Sequence, residues 1–183
     1  MAAIVKTAQR DDWARKLGTR VAAVISNRAD AGGLVFATKN GLATEVLEHK
    51  AFASREAFDA ALAQVIDRYE EPGSPVLVVL AGFMRILTPG FTQRYSGRLL
   101  NIHPSLLPAF AGLHTHQRAL DEGCKVAGAT VHQVTAELDH GTILAQAVVP
   151  VLPGDTAQTL AARVLTQEHQ IYPQAIADLL RHY

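Results

Sequence analysis

Short, uniformly apolar runs that alternate with helix-like segments constrain this fold more than any other feature of the sequence. The clearest run is VLVVLAG at 76–82, and RVAAVIS at 20–26 has the same β-branched, apolar character. Strands that are apolar on both faces belong to parallel sheets that helices cover on both sides. The alternation therefore predicts a three-layer α/β domain with a mostly parallel sheet.

The other elements are predicted from hydrophobic periodicity and from helix-starting and turn-forming residues. Ser54 is a suitable N-cap for the helix after it, because its hydroxyl can accept a bond from a free amide of the first turn. Further strands are predicted at 43–49, 97–103, 128–134 and 142–150, and helices at 3–17, 34–41, 55–69, 115–122 and 156–180.

Composition narrows the class of protein. The length of 183 residues predicts one domain covering residues 1–183. The 17 basic and 17 acidic residues balance, which gives no electrostatic reason to expect nucleic acid or an anionic membrane as a partner. The single cysteine, Cys124, excludes an internal disulfide and suits a reducing cytoplasm.

Two segments lie at the carboxyl ends of predicted strands, where sheets of this kind bind ligands. They are GFMRIL at 82–87 and NIHPSLLP at 101–108. Asn101 and His103 are two residues apart at a strand end, so their side chains share a face. An amide can donate to the oxygen of a tetrahedral intermediate while an imidazole transfers a proton, a combination that indicates acyl transfer. The competing interpretation is that Asn101 caps a turn and that His103 is a hydrogen-bonded loop histidine.

Asp139 is the candidate partner of His103. It precedes a glycine-containing turn between two predicted strands. A buried carboxylate beside an imidazole favours the protonated ring and holds its orientation. An aspartate before a turn is also a common structural feature, so this assignment depends on the two side chains meeting.

Two other chemistries match nearby residue types. Ser105, His103 and Asp139 could form a nucleophilic triad, but the sequence lacks the G-x-S-x-G turn that exposes such a serine. His114 and His116 could bind a metal, but no third ligand follows at a recognisable spacing. Both hypotheses rank below acyl transfer.

Six segments occur in an order that closely resembles the phosphoribosylglycinamide formyltransferases, folate-dependent enzymes of de novo purine synthesis. They are SNRADAGGL, FASREAFDAAL, VLAGFMRILTPGF, GRLLNIHPSLLPAFAGLHTHQRAL, VHQVTAELDHGTILAQAVVPV and TQEHQIYP. The resemblance extends from about residue 3 over nearly the whole chain, and GLHTH favours this branch over other folate formyltransferases. It implies a Rossmann-like sheet of the formyltransferase type. It also implies transfer of a formyl group from 10-formyltetrahydrofolate to the amine of glycinamide ribonucleotide.

The resemblance assigns a catalytic role to three residues. It implies that His103 is the general acid and base and that Asn101 donates to the developing oxyanion. It implies that Asp139 favours protonation of the histidine and organises a proton-relaying water. Direct attack by the amine needs neither a covalent enzyme intermediate nor a metal.

The resemblance also implies two binding regions. The formylfolate is expected at Arg55, Met84, Arg85, Ile86, Leu87, Asn101, Val134, Thr135, Glu137 and Asp139. The nucleotide is expected at Pro104 and Glu168. In this interpretation 10-formyltetrahydrofolate is a co-substrate of a cytoplasmic enzyme of one-carbon metabolism. No membrane or nucleic-acid partner is expected, and a homodimer is one compatible assembly.

One part of the family pattern has no counterpart in the sequence. The family begins with a strand of the type IVVLISG and a Gly-rich G-x-G-S-N loop whose amides hold the substrate phosphate. Here MAAIVKTAQ already resembles the helix that follows that loop. We expect a first central strand to be missing, an open slot between the strands at 20–26 and 76–82, and weak nucleotide binding with impaired catalysis. A start at an internal methionine is favoured over a shortened paralogue or a non-functional fragment.

Two other functions stay open at this point. One is hydrolysis of 10-formyltetrahydrofolate, with water in place of the amine at the same three residues. The other is a non-catalytic folate-binding remnant. Formate release without the nucleotide would indicate the first, and a His103→Ala variant with unchanged properties would indicate the second.

Overall fold

Strands and helices alternate through residues 1–182, the residues that the computed structural model describes. The helices are α1 (Ala2–Arg10), α2 (Trp13–Leu17), α3 (Gly32–Lys39), α4 (Arg55–Asp67), α5 (Pro89–Arg94), α6 (Thr115–Asp121) and α7 (Ala157–Leu180). The strands are β1 (Ala23–Ser26), β2 (Ala43–Val46), β3 (Val78–Val79), β4 (Leu99–His103), β5 (Val126–Gln133) and β6 (Ile143–Pro150).

The strands form two sheets. β1 and β2 pair in parallel, and β3 pairs in parallel with β4. β5 runs antiparallel to both β4 and β6, which gives the order β3-β4-β5-β6. The fold is thus the α/β class with parallel-rich sheets that the apolar runs predicted.

Two apolar cores cover opposite faces of β3 and its flanking residues. Leu77 and Val79 pack with a core that α1, α2 and α7 contribute to. Val78 and Leu80 pack with a second core, built from α4 and α5. Since successive side chains of a strand point to opposite faces, helices lie on both sides of the sheet and three layers result.

Helix boundaries follow the capping residues, with one prediction that is wrong. The Ser54 hydroxyl accepts the Ala57 amide at 3.1 Å, which confirms the predicted N-cap of α4. The helix predicted at 3–17 breaks into α1 and α2, because Asp12 takes a left-handed backbone conformation (φ 53°). Aspartate tolerates that conformation better than most residues. The break precedes Trp13, which is buried in the α1–α7 core.

β1 and β3 are not paired to each other within residues 1–182. A cavity of about 810 Å³ separates them, and its walls include residues 21–26 and 77–82. This cavity is the open slot that the sequence predicted. The strand predicted at 76–82 shortens to Val78–Val79, because it has a neighbouring strand on one side alone.

Tyr172 connects α7 to the ends of β3 and β4. Its buried hydroxyl lies 2.7 Å from the carbonyl oxygen of Leu80 and 3.1 Å from that of Leu100. Burial raises the pKa of Tyr172 well above its ordinary value, so the hydroxyl keeps the proton that it donates. Neither α7, with 24 residues, nor any other helix in the described range is both long and apolar enough to cross a membrane.

Candidate active site

β4 presents Asn101 and His103 at its carboxyl end. In the antiparallel register, Asn101 lies opposite His132 and His103 lies opposite Thr130 of β5. Side chains two residues apart in a strand point to one face, so the amide and the imidazole are neighbours there. The site is therefore assembled on a strand with partners on both sides, which limits its movement.

The His103 ring lies between two oxygen atoms. Its Nε2 is 3.0 Å from the carbonyl oxygen of Phe110, and its Nδ1 is 3.4 Å from Oδ2 of Asp139. Only 8% of the His103 side chain is exposed. Because a carbonyl and a carboxylate accept hydrogen bonds, an imidazolium with a proton on each nitrogen can donate to both. The arrangement suits a group that holds and transfers a proton.

Asp139 reaches His103 from the loop between β5 and β6. Its backbone is left-handed (φ 51°), and its side chain is 9% exposed. Its Oδ2 also accepts the Gly112 amide at 2.9 Å. A buried carboxylate needs such partners. The two contacts fix the carboxylate between the loop after β4 and the loop after β5.

His132 is a site residue that the sequence analysis missed. Its Nδ1 is 3.0 Å from the carbonyl oxygen of Gln133, which requires the proton on Nδ1 and leaves Nε2 as an acceptor. Asn101 Nδ2 lies 3.4 Å from that Nε2. Burial lowers the pKa of His132, although the Gln133 carbonyl and the Asp139 charge oppose this shift. A neutral His132 can thus hold one amide hydrogen of Asn101 and leave the other free for a substrate.

The structure does not assemble a serine triad. The Ser105 hydroxyl donates to the carbonyl oxygen of Ala109 at 2.7 Å instead of facing His103. A nucleophilic serine needs its hydroxyl bonded to the histidine that removes its proton.

The two histidines of the GLHTH segment lie in different surroundings. His114 is exposed at the start of α6. His116 is partly buried, and its Nε2 has no hydrogen-bond partner among the described residues. Burial, and then the positive charge of His103, lower the pKa of His116. Across residues 1–182 the structure shows no group of three or more His, Cys, Asp or Glu side chains arranged to hold a metal ion.

The 84–87 segment alternates between exposed and buried side chains just after β3. Met84 and Ile86 are 80% and 58% exposed, whereas Leu87 is buried in the α4–α5 core. The Arg85 guanidinium lies over the Phe58 ring at 5.1 Å from its centroid. This segment therefore leaves two large apolar side chains exposed.

The 134–139 loop is bonded at its base and exposed at its tip. The Val134 amide donates to the carbonyl oxygen of Leu99 at 2.8 Å. The Thr135 hydroxyl lies 2.9 Å from the carbonyl oxygen of His140. Glu137 is exposed and pairs with His140 at 3.3 Å. The loop thus brings Asp139 inward, whereas the side chains of residues 135–138 are exposed.

The remaining predicted residues lie on three different elements. Arg55 is exposed at the first position of α4, and Pro104 directly follows His103. Glu168 lies on α7, where burial raises its pKa and the N-terminal ammonium group opposes the shift. Within residues 1–182, neither Arg55 nor Glu168 forms a hydrogen bond or ion pair with Asn101, His103 or Asp139.

Comparison with known proteins gives consistent matches. The family model described as Formyl transferase matches residues 2–176. The chain is 54% identical over 162 residues to phosphoribosylglycinamide formyltransferase of Escherichia coli, which covers 88% of this chain and 74% of the relative. It is 47% identical over 153 residues to the trifunctional purine biosynthetic protein adenosine-3 of Bos taurus, covering 84% of this chain and 15% of that longer protein.

Comparison with a solved structure gives the same kind of match as comparison with the sequence relatives. The crystal structure of phosphoribosylglycinamide formyltransferase from Brucella melitensis superimposes with a TM-score of 0.87 at 52% identity. The superposition covers 97% of this chain and 88% of that one. The similarity therefore extends over almost the whole described fold.

Proposed function

The chain belongs to the formyl transferase family, and we propose that it transfers a formyl group from 10-formyltetrahydrofolate to the amine of glycinamide ribonucleotide in purine biosynthesis. The observation that best supports this is the cluster at the end of β4. There His103 lies 3.4 Å from Asp139, and Asn101 shares its face. Formyl transfer needs a proton carrier and an oxyanion donor side by side, and the positions of His103 and Asn101 support assigning these two roles to them.

The proposed reaction balances without a covalent enzyme intermediate or a metal ion. The substrate amine attacks the formyl carbon and forms a carbon–nitrogen bond, which gives a tetrahedral intermediate. Its oxyanion accepts a hydrogen bond from the free amide hydrogen of Asn101. When the intermediate collapses, the bond from the formyl carbon to N10 of the folate breaks. The proton lost by the amine is delivered to N10.

Asp139 and His132 act through the two groups that touch the substrate. The Asp139 carboxylate lies 3.4 Å from Nδ1 of His103 and holds the orientation of that ring. His132 accepts one hydrogen of the Asn101 amide and so orients the other. A single well-oriented oxyanion donor typically changes the rate by about 10²–10³.

The proposed folate site lies beside this cluster. The exposed Met84 and Ile86 are proposed to contact the pterin, and the loop from Val134 to Asp139 is proposed to close over it. The backbone of Arg85 and Leu87 and the side chains of Thr135, Glu137 and Arg55 are proposed as further contacts. Pro104 and Glu168 are proposed on the nucleotide side.

We assign the whole of residues 1–183 to one formyltransferase domain. The single cysteine suits a reducing compartment, so a cytoplasmic location is part of the proposal.

Product analysis with and without the nucleotide tests this function. The protein is incubated with 10-formyltetrahydrofolate, and tetrahydrofolate, formate and formylated nucleotide are quantified over a range of glycinamide ribonucleotide concentrations. We expect tetrahydrofolate and formylated nucleotide in equal amounts, and little of either without the nucleotide. Equal formate release in both arms would instead show a hydrolase.

A further inference from the structure

One short loop after β4 contributes to the surroundings of both ring nitrogens of His103. Nε2 of His103 lies 3.0 Å from the carbonyl oxygen of Phe110. Nδ1 lies 3.4 Å from Oδ2 of Asp139, and the same oxygen accepts the amide of Gly112 at 2.9 Å. Residues 110–113, which we call the 110–113 loop, therefore contact His103 directly on one side and through Asp139 on the other.

The backbone of the 110–113 loop depends on neighbouring contacts for its shape. Phe110 has a left-handed conformation (φ 56°), as do Gly112 (φ 81°) and His114, the residue after the loop (φ 58°). Glycine adopts this conformation readily, but a residue with a Cβ atom adopts it at an energetic cost. Such a residue persists where the surrounding structure holds it in place. The position of the Phe110 carbonyl therefore depends on the groups that restrain the loop.

Arg118 of α6 provides three of these restraints. Its Nη1 donates to the carbonyl oxygen of Ala111 at 2.7 Å and lies 3.5 Å from that of Leu113. Its guanidinium carbon lies 5.3 Å from the centroid of the Phe110 ring. A guanidinium can donate hydrogen bonds in its own plane while its face lies over an aromatic ring. Arg118 thus restrains both the backbone and the aromatic side chain of the loop.

The helix that carries Arg118 is a fixed support. Thr115 and Ala119 of α6 are buried, and the Arg118 amide donates to the carbonyl oxygen of His114 at 3.0 Å. Within residues 1–182, the Arg118 side chain forms no ion pair with a carboxylate, and its hydrogen bonds and ring contact all go to the 110–113 loop. Its contacts are therefore those of a residue that holds this loop.

We propose that Arg118 is a positioning residue for His103. By restraining the 110–113 loop, it keeps the Phe110 carbonyl against Nε2 and the Gly112 amide against Asp139, which together fix the orientation of the imidazole. Arg118 acts through the loop and not by contact with the reacting atoms. The effect on turnover rests on the proposed formyl transfer, whereas the effect on the ring can be measured without that reaction.

Steady-state kinetics of Arg118→Met test the effect on turnover. Methionine keeps an unbranched side chain that suits a helix, but it lacks the donors and the charge. Because small displacements of a catalytic group are costly, we expect kcat to fall roughly ten- to a hundredfold while the KM for 10-formyltetrahydrofolate stays within about twofold. Arg118→Lys keeps a cation and a donor and should lose less. An unchanged kcat in the Met variant overturns the proposal, as do equal losses in the Met and Lys variants.

Arg98 provides a matched control at the starting end of β4, whereas the site lies at its carboxyl end. Its guanidinium carbon lies 5.2 Å from the centroid of the Tyr95 ring, and its Nη1 lies 3.3 Å from the carbonyl oxygen of Val76. It also pairs with Glu70. Arg98→Met therefore removes the same kinds of contact, and we expect a lower Tm with a normal kcat. A loss of kcat equal to that of Arg118→Met would assign both losses to stability and overturn the proposal.

Nuclear magnetic resonance of the His103 ring gives a readout that needs no substrate. In protein labelled with ¹⁵N-histidine, the ring signals of His103 are those that His103→Ala lacks. Since the carbonyl at Nε2 can only accept, that nitrogen carries a proton. We expect Arg118→Met to shift the Nε2 signal and Arg98→Met to leave it unchanged.

This readout separates the positioning role from the reaction. An unchanged Nε2 signal in Arg118→Met overturns the inference, whatever the activity of the protein. If Arg118→Met does not fold, the same signal in Arg118→Lys decides the question. If the original chain forms no formylated nucleotide but the signal shifts as expected, the proposed function fails and the positioning role is supported.

Discussion

His103 and Asp139 meet across the sheet, with the imidazole Nδ1 3.4 Å from the carboxylate Oδ2. One residue ends β4 and the other lies in the loop after β5. The same carboxylate oxygen accepts the Gly112 amide, so it is anchored independently of the histidine. This relationship supports a proton-transferring role for His103 and leads to the first prediction.

Replacing Asp139 with Asn should reduce kcat while preserving the fold. Asparagine tolerates the left-handed backbone, and its side-chain oxygen can still accept the Gly112 amide. An amide is a weaker partner for the His103 Nδ1 than a carboxylate, so the ring is held less firmly and we expect a fall in kcat on the order of 10²-fold. Steady-state kinetics measure the fall, and thermal melting serves as the control. A normal kcat with an unchanged Tm would show that the carboxylate is not needed.

His132 should act through the position of the Asn101 amide. His132→Leu removes the acceptor 3.4 Å from Asn101 Nδ2, whereas His132→Gln keeps an acceptor in a side chain of similar length. Because small displacements of a catalytic group are costly, we expect the Leu variant to lose roughly ten- to a hundredfold in kcat. The Gln variant should lose less, with the KM for 10-formyltetrahydrofolate unchanged in both. Equal losses in the two variants would assign His132 to packing alone.

Gly128 and Gly90 are two sites at which an added Cβ should have opposite effects on the free energy of unfolding. A Cβ on Gly128 of β5 would lie 1.9 Å from the carbonyl oxygen of Ala147 in β6, so the strands must separate. We expect Gly128→Ala to lower the free energy of unfolding by about 2 kcal/mol or more. A Cβ on Gly90, in α5, would meet no atom within 4 Å beyond its chain neighbours and the nearby backbone of its own helix, and Gly90→Ala should stabilise by about 0.4–1 kcal/mol. Denaturant melts of both variants test the pair, and similar values for the two would contradict this account of β5–β6 packing.

The protein should lose stability in mild acid partly through His116. Burial and the charge of His103 hold the pKa of His116 below the ordinary value of 6.5. As pH falls through 6.5, His116 takes up a proton in the unfolded chain but not in the folded one. The folded state is therefore progressively disfavoured until pH reaches the lower pKa that His116 has in the folded protein. His116→Gln lacks this effect. Between about pH 7.5 and about pH 5.5, the unfolding free energy of the original chain should therefore fall more than that of the variant. If the difference between the two proteins does not change with pH, this explanation is ruled out.

The parts of the structure that depend on local sequence were predictable. The Ser54 cap and the apolar strands follow from residue types over a few positions. The slot between β1 and β3 was predicted by comparing the sequence with a family pattern. β3 is short because it pairs with a strand on one side alone.

The missed features depend on contacts between distant residues. His132 lies between Val131 and Gln133 in a strand that is largely buried. A histidine in such a strand is expected to be a core residue. Its role depends on a tautomer that the Gln133 carbonyl sets and on the register that places Asn101 opposite it. The break at Asp12 was missed because an aspartate inside a helix-like pattern does not by itself indicate a left-handed turn.

The single-turnover rate of a His103→Ala variant tests the central claim most directly. His182, an exposed histidine near the end of α7, supplies the control variant His182→Ala. With 10-formyltetrahydrofolate in excess and raised concentrations of glycinamide ribonucleotide, the account predicts that His103→Ala loses about 10²–10⁴ in rate and that His182→Ala keeps the original rate. A His103→Ala protein that folds and forms formylated nucleotide at the original rate would contradict it.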